Sequence, residues 1–575
     1  MAQSGAWQVS NHFGYDPKNP ITLPMPITSE PTSRAAFKPQ SALLGAVLLF
    51  FFYRQIHDYD LWFHMVVGRE MAATGTLPKT MFYLLPLQGE PTNYIEWGFG
   101  LIQHLAYTAA GFPGMALLNA ALATGALLFA YAAALGRRSW LHPAALLALA
   151  VVAWAFRVRT EYRAEMVLFL ALGITFWALE RFMASGQWRQ LIPIPVSALV
   201  LSQAHPSSLM LVPLIGAYGI EALRAPPPGL SRLQASVALA GSAIAALLLA
   251  CLNPYGWSQV TLPVSSHLAD LNNPDLLYAV TEYQPIMATP FGSTFIVLVL
   301  LSILAVLFAP KYRIAAGLLL ALFGGLTYLY ARNIGLFALM LAIPLVRLAL
   351  HAWPKTLPTW LTRAATAVPL VFLLAFPLWR GDWGSGPVPN VFPEQAASYL
   401  RSHVPAARVF NFIDYGGYLA WALGREASVF ADSHDTAMNR AADLHDRIFQ
   451  AEPGWQNYLA SYRIDAIFAP TLMSYSGRLI DLMLPLATDD SWQLVSVEDA
   501  GLLFVRSTLA PANAIDKREI WRHMLVDAQW VIDDYPDHPQ PWLARALAHE
   551  ALGDVAQAQQ SRSRFEQLSK DEQRP

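Results

Sequence analysis

Eleven apolar runs divide the first two thirds of the chain, at 40–56, 114–135, 141–156, 166–182, 191–204, 209–224, 235–252, 291–309, 313–330, 334–350 and 364–380. A helix needs about 20 mostly apolar residues to cross a bilayer, and few folds accommodate so many such runs outside one. The composition agrees: 55% of residues are hydrophobic and only 14% charged, against roughly a quarter charged in soluble proteins. The chain therefore reads as a polytopic α-helical membrane protein with about 11 transmembrane helices. Lys and Arg number 38 and Asp and Glu 40, a balance without the basic bias of a nucleic-acid partner. The single cysteine, Cys251, excludes both a disulfide framework and a thiolate metal site. Residues 1–39 are polar and Pro-rich, lack the order of a signal peptide, and are expected to form a flexible cytoplasmic tail.

Orientation follows from where Lys and Arg fall in short loops. With the N-terminus in the cytoplasm, the loops on that face are GRR (136–138), RFMASGQWR (181–189), LRAPPPGLSR (223–232), PKYR (310–313) and KTLPTWLTR (355–363), all short and basic. The other face receives DYDLWFH (58–64) and the loop after it, RVRTEYRAEM (157–166), AHPSS, 253–290, ARN (331–333) and everything beyond 381. The expected location is the bacterial inner (plasma) membrane, with 40–381 as the membrane domain and the C-terminal region periplasmic or extracellular.

Beyond the Gly/Pro/Asp linker WRGDWGSGPVPN (379–390), short β-rich runs alternate with helical ones: ARVFNF, ASVFAD, DAIFAP, WQLVSVE and GLLFVR. This predicts a soluble α/β domain over 382–515. From 516 to 575 small residues recur at i, i+3/i+4 spacing with a Gly-Asp turn, as in one tetratricopeptide-like unit plus a preceding helix. A single repeat cannot bury its own face, so this tail either caps the domain or awaits a protein partner.

The outer face also collects the unusual charges. Asp58 and Asp60 follow the first span; Glu161 and Glu165 are interleaved with Arg157, Arg159 and Arg163; Glu282 lies in VTEYQP and Arg332 in YARNIG. Three arginines held against the topological preference at a helix mouth point to function. Glu161 and Glu165, four apart, share one face of any helical turn. Oxygen-rich clusters of this kind suit a hard divalent cation, Mg²⁺ or Mn²⁺, and arginines pair with phosphate. Acid, cation and phosphate together suggest transfer from a phosphorylated donor. Blander readings stand beside this one: Asp58 and Asp60 as helix caps, 157–165 as a structural ion network, His205 as a hydrogen-bonded structural residue, and Glu96 as the start of an amphipathic stretch along the surface. Asp432 and His434 stay open between structure and chemistry.

Taken in order, these segments resemble motifs of the oligosaccharyltransferase catalytic subunit family, within the GT-C superfamily. VTEYQP is similar to its Ser/Thr-x-Glu motif, DYDLWFH…VGRE to its first-loop motif, RTEYRAE stands in the place of its second acidic motif, and ARNIG is similar to its late Arg-containing helix start. NFIDYGGYLAWALGREASVFADSHDT resembles its Trp-Trp-Asp-Tyr-Gly segment. The resemblance implies that Asp60 activates the acceptor, with Asp58 and Glu282 beside it as catalytic groups. It makes Asp60, Glu161, Glu165 and Glu282 the ligands of the divalent cation. Arg332, with Arg159 and Arg163, would bind the donor phosphate, and Asp414, Tyr415 and Gly416 would contact the acceptor. Phe412 and Ile413 replace the tandem tryptophans, so an Asn-x-Ser/Thr acceptor does not follow. The expected partners are a polyprenyl-linked sugar donor and membrane lipid. The alternative is a transporter or flippase of lipid-linked or anionic solutes, which would hold its ionisable groups mid-span at broken helices.

Overall fold

The computed structural model describes residues 39–270, 281–308, 311–473, 476–511 and 514–572. The expected N-terminal tail and residue 280 of the VTEYQP motif lie outside them. Each of the eleven apolar runs forms a helix: α1 (Pro39–Phe52), α3 (Trp97–Leu135), α4 (Pro143–Arg157), α5 (Glu165–Ser185), α6 (Pro193–Ala204), α7 (Leu211–Arg224), α8 (Arg232–Ala250), α10 (Gly292–Phe308), α11 (Arg313–Leu329), α12 (Ile334–Ala352) and α13 (Thr359–Arg380). The polar segments between them supply α2 (Leu61–Thr74) and α9 (Trp257–Asp270). By length and composition, five helical stretches among the described residues are able to cross a membrane alone: 97–135, 165–185, 232–250, 331–352 and 359–380. Shorter apolar helices such as α1, α4, α10 and α11 accompany them, as befits a multi-pass membrane protein.

The helix α3 is two helices joined at a break. Ala110 and Gly111 leave helical geometry just before Pro113, which has no N–H for the carbonyl four residues back and whose ring would clash with it in a continuous helix. The first half is thus free to lie against α2, and the second half is the span read at 114–135. Burial separates two roles among the spans. Most of α4, α5 and α12 is buried, so these helices form the centre of the bundle. The helices α8 and α13 instead expose Leu233, Val237, Leu248, Val368 and Val371, the surface that lipid would cover. Trp360 and Trp379 stand exposed near the two ends of α13, roughly 28 Å apart at helical rise, the depth of a hydrocarbon core with an aromatic at each interface.

The C-terminal region is an α/β unit. Strands β1 (Arg408–Asn411), β2 (Ser428–Val429), β3 (Ala466–Ala469), β4 (Trp492–Glu498) and β5 (Gly501–Arg506) form one sheet in the order β2-β1-β3-β5-β4. β1 pairs parallel with β2 and β3, while β5 runs antiparallel to β3 and β4. All five are the β-rich runs read in the sequence. Between and around them lie α14 (Glu394–His403), α15 (Gly416–Leu423), α16 (Asp435–Phe449), α17 (Trp455–Ser461) and α18 (Met483–Leu486). The tail forms α19 (Arg518–Asp534), α20 (Gln540–Leu552) and α21 (Val555–Glu572). Ile520, Met524, Ala528, Ala544 and Ala548 join the core beneath the sheet, so the first two tail helices cap the domain.

The stretch 379–390 is bound rather than free. Asp382 accepts two hydrogen bonds from Arg157, at 2.7 and 2.9 Å, and residues 55–56 pair with 382–388 through Gln55 N–H to Asp382 O, Ile56 N–H to Gly386 O and Val388 N–H to Ile56 O. Arg157, one of the three outer arginines, is spent here and not in the acidic cluster.

Candidate active site

The segment DYDLWFH turns from α1 into α2. The Asp58 side chain is fully buried and its Oδ1 accepts the backbone N–H of Asp60 at 2.8 Å, a local turn that suits an aspartate. Asp60 occupies the N-cap position of α2 yet makes no capping hydrogen bond. Its carboxylate points instead to Arg163, with Nη2 at 3.1 Å, and lines a cavity of about 510 Å³. The capping reading of this pair fails for that reason.

The cavity wall is assembled from segments far apart in sequence. Asp60, Arg163, Glu165, Glu282 and Arg332 supply its charged side, and Leu209, Met210, Leu262, Leu326 and Leu336 an apolar one. Arg163 reaches three carboxylates: Nε to Asp58 at 2.5 Å, Nη2 to Asp60 and Nη1 to Glu282 at 2.7 Å. Arg159 holds Glu165 at 2.9 Å and Glu282 at 2.8 Å. Arg332 lies 3.7 Å from Glu282, its guanidinium over the Tyr283 ring at 5.0 Å. Burial alone would raise the Glu282 carboxyl, but the charges of Arg163, Arg159 and Arg332 outweigh it and hold the group well below the usual carboxylate range. For Asp58 burial wins: its carboxyl is raised against the pull of Arg163.

Of the expected cation ligands, Asp60, Glu165 and Glu282 meet on the cavity wall, each against a guanidinium, while Glu161 is not part of that wall. Among the described residues no three His, Cys, Asp or Glu side chains are grouped to hold a metal ion. Three of the four are engaged by guanidinium groups, and Glu161 precedes α5 in a turn, so the one-face argument with Glu165 does not apply. A hard cation would have to compete with these guanidinium groups for the carboxylate oxygens. Asp58 is sealed behind Asp60 and holds Arg163 rather than facing the cavity. Arg159 is likewise buried behind Glu282, which leaves Arg163 and Arg332 on the wall. Asp414, Tyr415 and Gly416 sit beside the cavity and not in its wall; the Tyr415 ring packs on Tyr59 at 5.9 Å. Burial and the nearby charge of Asp60 push the Asp414 carboxyl up to about 6. Ser433 and His434 line the cavity in their place, and Asp432 behind them accepts the Tyr83 hydroxyl at 2.5 Å.

Three further wall residues escaped the sequence reading as a group. Glu96 stands between His64, at 3.3 Å, and His205, at 3.4 Å. The cause is close packing of helix ends. A Cβ on Gly100 would fall 2.4 Å from the His64 carbonyl oxygen, and one on Gly98 2.5 Å from that of Gln203. The two glycines let the start of α3 touch both α2 and the end of α6. Burial lowers both imidazoles, that of His205 to about 3 with the Arg332 charge assisting, so each meets Glu96 as a neutral ring. The signal available in the sequence was WGFG after Glu96: two glycines opening an apolar helix.

No protein-family model matches the chain, and no curated relative does. Solved structures do. The apo oligosaccharyltransferase of Archaeoglobus fulgidus is 12% identical with a TM-score of 0.50, over 83% of this chain and 75% of that one. The AglB oligosaccharyltransferase of the same organism, in complex with an inhibitory peptide and a dolichol-phosphate, is 12% identical with a TM-score of 0.48 over the same shares of the two chains. Apo ArnT from Cupriavidus metallidurans is 13% identical with a TM-score of 0.48, over 82% of this chain and 98% of that one. The chain is thus similar in fold to the apo oligosaccharyltransferase of Archaeoglobus fulgidus.

Proposed function

We propose that this protein is an integral membrane glycosyltransferase. It moves a sugar or oligosaccharide from a polyprenyl-phosphate or polyprenyl-pyrophosphate donor to an acceptor on the periplasmic or extracellular face. The observation that carries the reading is the convergence of Asp60, Glu282 and Arg332, from three distant segments, on one cavity with an apolar wall at the mouth of the bundle. A donor with a phosphate on a lipid tail matches those two kinds of surface.

In this reading Asp60, the most exposed carboxylate of the cluster at 30%, receives the proton of the acceptor hydroxyl or amide. The acceptor atom bonds to the anomeric carbon as the bond from that carbon to the phosphate oxygen breaks. The electron pair leaves with the phosphate, whose growing charge Arg332 stabilises. Glu282 keeps the guanidinium groups in register. The acidic groups stand at helix ends and not mid-span, which is where a transferase and not a transporter needs them.

The test is incubation of purified protein with a panel of radiolabelled polyprenyl-sugar donors. Wild type consumes lipid-linked label, and Asp60→Asn slows consumption by about 100-fold or more, the scale of a lost general base. Equal turnover by both proteins would remove Asp60 from the mechanism.

A further inference from the structure

We propose that Arg163 is the built-in cation of this site, standing where the sequence pattern calls for a divalent metal ion. The inference rests on the transferase reading for its purpose but on geometry for its content. One guanidinium presents its nitrogens to three carboxylates from two segments more than 100 residues away on either side: Asp58 at 2.5 Å, Asp60 at 3.1 Å and Glu282 at 2.7 Å. That is the task of a bound cation: to neutralise several acids from distant loops and fix their separation. An arginine does it with a rigid planar fork and a charge that no pH change in the working range removes. Arg159 repeats the arrangement one layer deeper, between Glu165 and Glu282. Four carboxylates and three arginines, Arg332 included, therefore close on one another, and a second cation would have to displace a guanidinium and stand against its neighbours' charge.

Arg163 is a positioning residue in this scheme. It orients Asp60 towards the acceptor and leaves Arg332, whose contact with Glu282 is long at 3.7 Å, to meet the donor phosphate. The transfer itself is unchanged: proton to Asp60, new bond at the anomeric carbon, electron pair to the phosphate.

The experiment has two arms on the purified full chain. In the first, Mn²⁺ binding is read from the electron paramagnetic resonance of the free ion. Wild type and Arg163→Lys are expected to leave Mn²⁺ free. Arg163→Gln, which exposes Asp58, Asp60 and Glu282 to one another without a counter-charge, is expected to bind it about tenfold more tightly or better. In the second arm, donor consumption by wild type is unchanged by EDTA, while Arg163→Gln is slow and regains turnover when Mn²⁺ is added. Stoichiometric Mn²⁺ binding by wild type that disappears in Glu282→Gln would overturn the proposal, as would loss of wild-type turnover in EDTA. The wild-type measurements decide the matter even where Arg163→Gln does not fold. If no donor is consumed under any condition, the transferase reading falls while the resonance arm still judges Arg163.

Discussion

Glu282 is the residue on which three arginines depend. Its two oxygens serve Arg159, Arg163 and Arg332, so Glu282→Gln leaves like charges facing one another. Removing one partner of a buried ion pair costs several kcal/mol, and with 21% of the Glu282 side chain in solvent a loss of roughly 3 kcal/mol is expected. Thermal unfolding in detergent measures it, and Glu282→Gln melting with wild type would show that the arginines are held by other groups. His205 yields a pH prediction. Its folded-state value of about 3 lies far below the ordinary 6.5. Below 6.5 the unfolded chain therefore takes up a proton that the folded chain refuses, and stability is lost as the pH falls. His205→Asn removes that contribution. The fall in melting temperature between pH 7 and pH 5 is expected to be smaller in the variant than in wild type, and an equal or larger fall contradicts the burial of a neutral imidazole at Glu96.

At the scale of elements, the active-site loop is held from the C-terminal domain. The indole of Trp62, fully buried, meets Tyr418 at 4.8 Å and Trp421 at 4.7 Å, so α15 is clamped onto the first turn of α2, next to Asp60. A Cβ on Gly417 would come within 2.8 Å of the Phe63 backbone nitrogen. Gly417→Ala is therefore expected to push α2 and α15 apart, at a cost of about 1–3 kcal/mol, and to lower donor consumption through displacement of Asp60. A variant with full activity and an unchanged melting temperature would show that this contact does not set the loop. The segment 411–434 packs on the active-site loop through Tyr415 and Tyr418 and also holds polar contacts, with Asp432 accepting the Tyr83 hydroxyl. Aromatic pairs and glycine approaches between segments more than 300 residues apart leave no periodic trace in a sequence.

For the whole molecule, the placement of basic loops predicts which face each end of the bundle occupies. With Cys251 replaced by Ser, single cysteines at exposed positions Glu90 and Ser507 are expected to react with a membrane-impermeant maleimide applied to intact cells. Those at Arg137 and Lys355, also exposed, are expected to react only after permeabilisation. The reverse pattern would put the cavity on the cytoplasmic side and defeat the proposed donor orientation.

What the sequence determined by itself is the set of apolar helices and of strands. Apolar runs, β-branched runs and Gly/Pro breaks act over a few residues, and the eleven helices and five strands stand where those local patterns put them. Alternating spans also put the loops of Asp58, Asp60, Glu282 and Arg332 on one face in the sequence reading, and the structure brings them into contact. Only the tertiary structure decided who holds whom. Asp58 and Asp60 meet an arginine more than 100 residues away, Glu161 falls in a turn and not on a helix, and Glu96 reaches two histidines because glycines let three helix ends touch. Charge pairing depends on distance in space, through a burial that strengthens each contact, and spacing along the chain does not record it.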